Sequence, residues 1–271
     1  MLKPATSILN KLNIRLISTS LSKFKNVDEN DLKHLSSFST QWWDVSGPVK
    51  PLHLMNQVRV PFIRDGLIST GAVKPENINK PDVLKGLNIL EVGCGAGILT
   101  EALARLKANV TGLEPATDLI EAARDHLKGQ SLNIEYISEF IEEHAVDNAE
   151  KYDAVVASEV LEHIPDQRTF LHELTKCVKP NGSIFITTFN KTQVSWLVGI
   201  VIAEYVMDFI PKGTHDWNQF ISPSDVSKIL NENNCNTVLV HGFGYNPINE
   251  TFSFRKYDGV NYALQAVKNA S

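Results

Sequence analysis

Cysteine is scarce in this 271-residue chain. There are three, Cys94, Cys177 and Cys235, far apart and in no zinc or disulfide spacing. Their pattern excludes a disulfide scaffold and fits a reducing compartment. Long apolar runs are missing too. The longest, Val194 to Ala203 with Ser195 and Gly199 inside it, stops at Glu204, short of the roughly 20 residues that cross a bilayer. Basic residues number 26 against 31 acidic, a net charge of -5. Such a chain is not built to wrap nucleic acid, and no nucleic-acid partner is expected.

Acid is absent from residues 1–27, which carry Lys3, Lys11, Arg15, Lys23 and Lys25. Leu9, Leu12 and Leu16 would fall on one helical side, and Lys11 and Arg15 on another. A basic, acid-free, amphipathic start reads as a mitochondrial transit peptide; a disordered basic tail is the plainer alternative. Excluding it leaves 21 basic against 31 acidic residues in the remaining chain.

Residues 28–44, ending in the pair Trp42–Trp43, read as an amphipathic helix. A proline-punctuated turn and a second helix follow, so that 28–70 forms a helical cap. From residue 87, apolar strands alternate with helical patterns: "LNILEVG", "NVTGLEP", "LNIEYIS", "YDAVVAS" and "SIFITTFN" are the strands. "QRTFLHELTKCVKPNG" reads as a helix with a glycine stop. "TVLVHGFGYNP" and "NYALQAV" add two strands at the sheet edge. Such units imply an α/β domain over 28–271, with a doubly wound, mostly parallel, seven-stranded sheet.

"LEVGCGAGILT" carries Gly93, Gly95 and Gly97 between a strand and a helix. The third glycine of a G-x-G-x-x-G dinucleotide fingerprint is lacking, because that position is Ile98. The Lys-Ser/Thr of a P-loop is also lacking. Glycines here permit a tight turn and close approach of backbone N–H groups to a ligand. Glu114 ends the next strand, 21 residues after Gly93, where an acid can accept both hydroxyls of a ribose.

With these residues the chain resembles the class I, Rossmann-like S-adenosylmethionine-dependent methyltransferases. The resemblance implies Gly93, Gly95 and Gly97 at the methionine end of that co-substrate, Glu114 at the ribose and Glu139 near the adenine. "WWDVSGPVKPLHLMNQVRVPFI", "SEVLEHIPD", "PKGTHDWNQFISPSD" and "GYNPI" look more specifically like the ubiquinone-biosynthesis O-methyltransferase family. That family methylates phenolic hydroxyls of polyprenylated catechol-type precursors. Arg59 resembles its cofactor-contacting arginine, and Ser158 occupies a cofactor-facing position.

"SEVLEHIPD" sets Glu159, Glu162 and His163 at i, i+3 and i+4, neighbours on one face if the turn is helical. Spacing alone leaves open a metal site, an acid/base pair and a solvated turn. Two carboxylates and an imidazole suit a divalent ion with open positions, and the resemblance implies Mg²⁺ there. The rival reading makes His163 the general base, with His215 a second candidate. The insertion 191–221 reads as a substrate lid or as an interfacial helix dipping Trp196, Leu197 and Ile200 into a bilayer. The expected partners are a polyprenylated phenolic substrate, the matrix side of the mitochondrial inner membrane met peripherally, and other subunits of a ubiquinone-biosynthesis complex.

Overall fold

A computed structural model describes residues 26, 36–192, 195 and 219–270. The basic start and most of the 191–221 insertion, with His215, Trp196, Leu197 and Ile200, lie outside the described residues.

The alternation of strands and helices folds as expected. The strands are β1 (Asn88–Val92), β2 (Asn109–Leu113), β3 (Ile134–Ile137), β4 (Tyr152–Ser158), β5 (Val178–Phe189), β6 (Cys235–Asn246), β7 (Thr251–Arg255) and β8 (Asn261–Lys268). They form one sheet in the order β3-β2-β1-β4-β5-β8-β6-β7. The first five are parallel, while β8, β6 and β7 join antiparallel. Eight strands replace the seven expected. The extra one is β7, a five-residue edge strand whose Ser253, Phe254 and Arg255 are exposed. An edge strand facing water lacks the apolar run that marks a buried one.

Helices α1 (Lys50–Ser69), α2 (Ile98–Arg105), α3 (Thr117–Leu127), α4 (Ile141–Asp147), α5 (Gln167–Cys177) and α6 (Pro223–Glu232) cover both faces. Along each central strand the side chains alternate. Ile89, Ala154, Val156 and Phe185 pack with Val58, Phe62, Ile63 and Leu67 of α1. Leu90, Val155, Ala157, Ile184 and Ile186 pack on the other face with Leu171 and Leu174 of α5 and with Val226 and Leu230 of α6. Burial on both faces is why these strands read as continuous apolar runs. Each fully buried Leu or Ile contributes about 1.5–3 kcal/mol.

Three boundaries differ from expectation. Where a helix over 28–44 is expected, the described part contains the 3₁₀ turn Ser39–Gln41, while the second cap helix follows the proline turn as expected, from Lys50, with proline in its first turn. Proline is tolerated there because that N–H has no helical partner. Helix α5 stops at Cys177, and "VKPNG" opens β5 as an irregular stretch, with Asn181 at φ 63°. Helix α4 was not anticipated; its seven residues are too few for periodicity to register.

Candidate functional site

The C-terminal ends of the parallel strands are where open α/β sheets hold ligands. The glycine loop follows β1. Gly93, Gly95 and Gly97 have φ of 72°, 54° and 89°, the left-handed region that glycine enters without penalty. Space is short as well: a Cβ on Gly97 would lie 2.1 Å from Tyr136 Oη, and one on Gly95 2.6 Å from the Trp42 ring. Glu114, at the end of β2, accepts hydrogen bonds from the N–H groups of Gly95 (3.2 Å) and Ala116 (3.0 Å). Burial nevertheless lifts its pKa to about 7. Each oxygen keeps a second lone pair for a ligand hydroxyl.

Glu91, inside β1, was not singled out from the sequence. It is buried, accepts the Thr100 hydroxyl at 2.5 Å, and burial pushes its pKa to about 7. The overlooked signal was a carboxylate within an otherwise apolar strand. Buried charge of that kind is rare without a partner. Near it lies Arg59 of α1, also buried. Its guanidinium donates to Ser158 Oγ (3.1 Å), the Leu52 carbonyl (2.6 Å) and Asn56 Oδ1 (2.7 and 3.1 Å). Burial lowers its pKa, while Glu91 and Glu159 hold the charge in place. Asn56 Nδ2 reaches the Ile98 carbonyl at 3.1 Å, so α1 ties the glycine loop's helix to the end of β4.

Ser158 ends β4 and shares a 2.8 Å hydrogen bond with Thr187 of β5. The next residue corrects the helical-face expectation. Glu159 has φ 57°, and only Leu161–His163 forms a 3₁₀ turn. The two carboxylates therefore sit close together on a turn at the ends of β4 and β5 instead of lining one helix face. Glu159 donates its N–H to the Thr187 carbonyl (2.8 Å), and Glu162 Oε2 accepts the Thr188 hydroxyl (2.6 Å). Burial and then the Glu162 charge push Glu159 to about 8, with the Thr187 hydroxyl opposing. Burial also raises Glu162, against the pull of His163. Glu159 Oε1 is buried and, among the described residues, has no hydrogen-bond partner. His163 is near enough to favour the charged forms of Glu114, Glu159 and Glu162 together.

Glu139 stands apart. Its recorded contact is His144 Nδ1 at 2.9 Å, and His144 Nε2 lies 2.8 Å from Tyr152 Oη. His144 thus bridges Glu139 and Tyr152. Among the described residues, no three His, Cys, Asp or Glu side chains form a ready metal cluster. The paired, buried carboxylates and the orphaned Oε1 still fit a hard divalent cation in charge and donor type.

Sheet order, glycine loop and strand-end acid define the class: a Rossmann-like class I methyltransferase. The solved magnesium protoporphyrin IX methyltransferase of Synechocystis with bound SAM has this fold. It superposes with a TM-score of 0.57 at 19% identity, covering 90% of this chain and 100% of that one. Residues 63–240 match the family described as "Methyltransferase domain". The ubiquinone biosynthesis O-methyltransferase of Proteus mirabilis is 36% identical over 90% of this chain and 95% of its own length. The mitochondrial Homo sapiens enzyme of that name is 43% identical over 94% of this chain and 68% of its own length, and the Bos taurus one 43% over 90% and 66%. This chain thus spans about two thirds of those mammalian relatives. It belongs to the ubiquinone-biosynthesis O-methyltransferase family.

Proposed function

We propose that this chain transfers the methyl group of S-adenosylmethionine to a phenolic oxygen of a polyprenylated, catechol-type ring. Polyprenyl-dihydroxybenzoate and demethylubiquinol are the two substrates in view. The observation that carries the reading is the buried Glu159–Glu162 pair, with its unpartnered Oε1, one histidine away from the glycine-loop acid.

A phenol of pKa near 10 presents little phenolate at neutral pH. Mg²⁺, when bound, would favour the phenolate of a chelated catechol. Glu159 and Glu162 would hold that ion with His163, and the orphaned Oε1 of Glu159 supplies a ready lone pair. The phenolic proton leaves to base, and the oxygen attacks the sulfonium methyl. One C–O bond forms as the C–S bond breaks, leaving a neutral thioether. Arg59 stands ready to meet the co-substrate's carboxylate, though its recorded bonds to Ser158, Asn56 and Leu52 occupy most of its N–H groups. Glu114 takes the ribose, Gly93, Gly95 and Gly97 the methionine end, and Glu139 the adenine side.

A second reading keeps the reaction but makes His163 the general base, oriented by the glutamates. The incomplete three-residue cluster favours it. We assign the protein peripherally to the matrix face of the mitochondrial inner membrane, among other subunits of its pathway. The support is the basic start, the prenylated substrate and the mitochondrial names of the mammalian relatives. Among the described residues no helix is long and apolar enough to cross a membrane. Flotation with liposomes of the wild type and a Trp196→Ala/Ile200→Ser variant tests that attachment; equal flotation of both sinks the interfacial helix.

Methyl transfer to a short-tail prenylated catechol, run in EDTA and again with Mg²⁺ restored, tests the chemistry. Loss and recovery support the metal reading. Full activity in EDTA removes the ion and leaves His163 as base. No transfer despite co-substrate binding, in the presence of membranes and partners, overturns the assignment.

A further inference from the structure

We propose that Trp43 is a positioning residue for the glycine loop, so that the short segment before α1 sets the affinity for the nucleoside co-substrate. This inference rests on the reading that the loop binds S-adenosylmethionine.

The tandem tryptophans divide the work. Trp42 is buried and packs in an apolar cluster with Ala96, Ile98 and Leu119. Its ring fills the space that a side chain on Gly95 would occupy, 2.6 Å from the would-be Cβ. Trp43 is only partly buried. It donates its indole N–H to the Ala96 carbonyl at 3.0 Å. Ala96 stands between Gly95 and Gly97, so the bond fixes the peptide plane linking Ala96 to Gly97. A five-residue loop with three glycines has more conformations to lose than one built of other residues. A donor pinning the Ala96 carbonyl reduces that freedom before a ligand arrives, which is how preorganisation raises affinity.

The indole is itself held. Its ring stacks face to face on His126 of α3, with centroids 3.4 Å apart and planes 6° from parallel. His126 Nδ1 lies 2.6 Å from Oε1 of Glu101, a fully buried acid in the first turn of α2, whose other oxygen takes Arg105 at 2.6 Å. His53 meets the indole edge at 5.7 Å and bonds the Trp42 carbonyl at 3.0 Å. The tryptophan pair thus grips the loop at Gly95, at Ala96 and, through His126, at the helix that the loop opens.

Trp43→Phe keeps an aromatic ring for His126 while deleting the N–H donor and the second ring of the indole. Its expected effect is a rise of about fivefold in the dissociation constant for S-adenosylmethionine and S-adenosylhomocysteine, the worth of one hydrogen bond. At saturating co-substrate, kcat and the KM for the phenol stay within about twofold of wild type. A merely structural tryptophan would lower the melting temperature and leave the dissociation constant unmoved, and that result overturns the proposal. His126→Ala leaves the donor but removes its stacking surface. It should raise the same constant by a smaller factor, and it decides the matter should Trp43→Phe fail to fold. Calorimetry on the wild type comes first. Absence of binding there would overturn the parent reading and this one together. A binding wild type with unchanged variants overturns this one alone.

Discussion

The two halves of the site differ in how their carboxylates are satisfied. On the glycine-loop side, Glu91 is held by Thr100, and both oxygens of Glu114 are held by backbone N–H groups. On the β4–β5 side, Glu159 and Glu162 crowd each other, and one oxygen of Glu159 is buried without a partner among the described residues. The carboxylates of the first half are satisfied by the protein alone, although Tyr136 Oη beside Gly97 is also buried without a partner among the described residues. The second is complete only when something else arrives, since an unsatisfied buried oxygen costs about 1–3 kcal/mol.

The largest expected effect breaks the finished half. Gly97→Ala places a methyl group on Tyr136 Oη at a position with φ 89°. Overpacking and left-handed strain together should cost about 3 kcal/mol, read by denaturant unfolding, with co-substrate binding lost. Next comes the unfinished half. Glu162→Ala should lower kcat by about a hundredfold, the usual scale for a positioned acid–base group, with co-substrate affinity within about twofold by calorimetry. Comparable losses of binding in both variants would erase the distinction between the halves.

A smaller effect lies in pH. Glu91 keeps its proton in the folded chain to about pH 7, against a usual 4.5. Between those values the folded state binds the extra proton, so this group's contribution makes stability fall as pH rises through the window. Glu91→Gln should flatten that slope and gain on the order of 2 kcal/mol at pH 8, measured by urea melts at pH 5 and pH 8. An unchanged slope would place the ionisation elsewhere. The smallest is Ser158→Ala, which removes the hydroxyl between Arg59 and Thr187. One hydrogen bond predicts about a fivefold rise in co-substrate KM, and an equal change in kcat instead would move Ser158 to the reacting half.

Much of this was legible in the chain itself. Continuous apolar strands such as "YDAVVAS" announced a sheet buried on both faces, and the loop "GCGAG" with Glu114 announced the ligand end. Glu139 is the weakest transfer from motif to place, because its recorded partner is His144. The strand β7 was hidden because half of it faces solvent, and the strand opening of β5 because "KPNG" carries the signature of a stop.

Local pattern by itself determined the order of the elements, the turn glycines and which residue types gather near the strand ends. These depend on neighbours a few positions away, where periodicity and backbone sterics act. Only the tertiary structure decided that Glu159 turns left-handed, that Glu162 faces Thr188 across the sheet edge, and that Trp43 lies between Ala96 and His126. Glu159 and Glu162 are near neighbours in sequence, but their burial and the hydrogen bonds from Thr188 to Glu162 and from Trp43 to Ala96 join residues far apart, and no short window along the chain contains both partners.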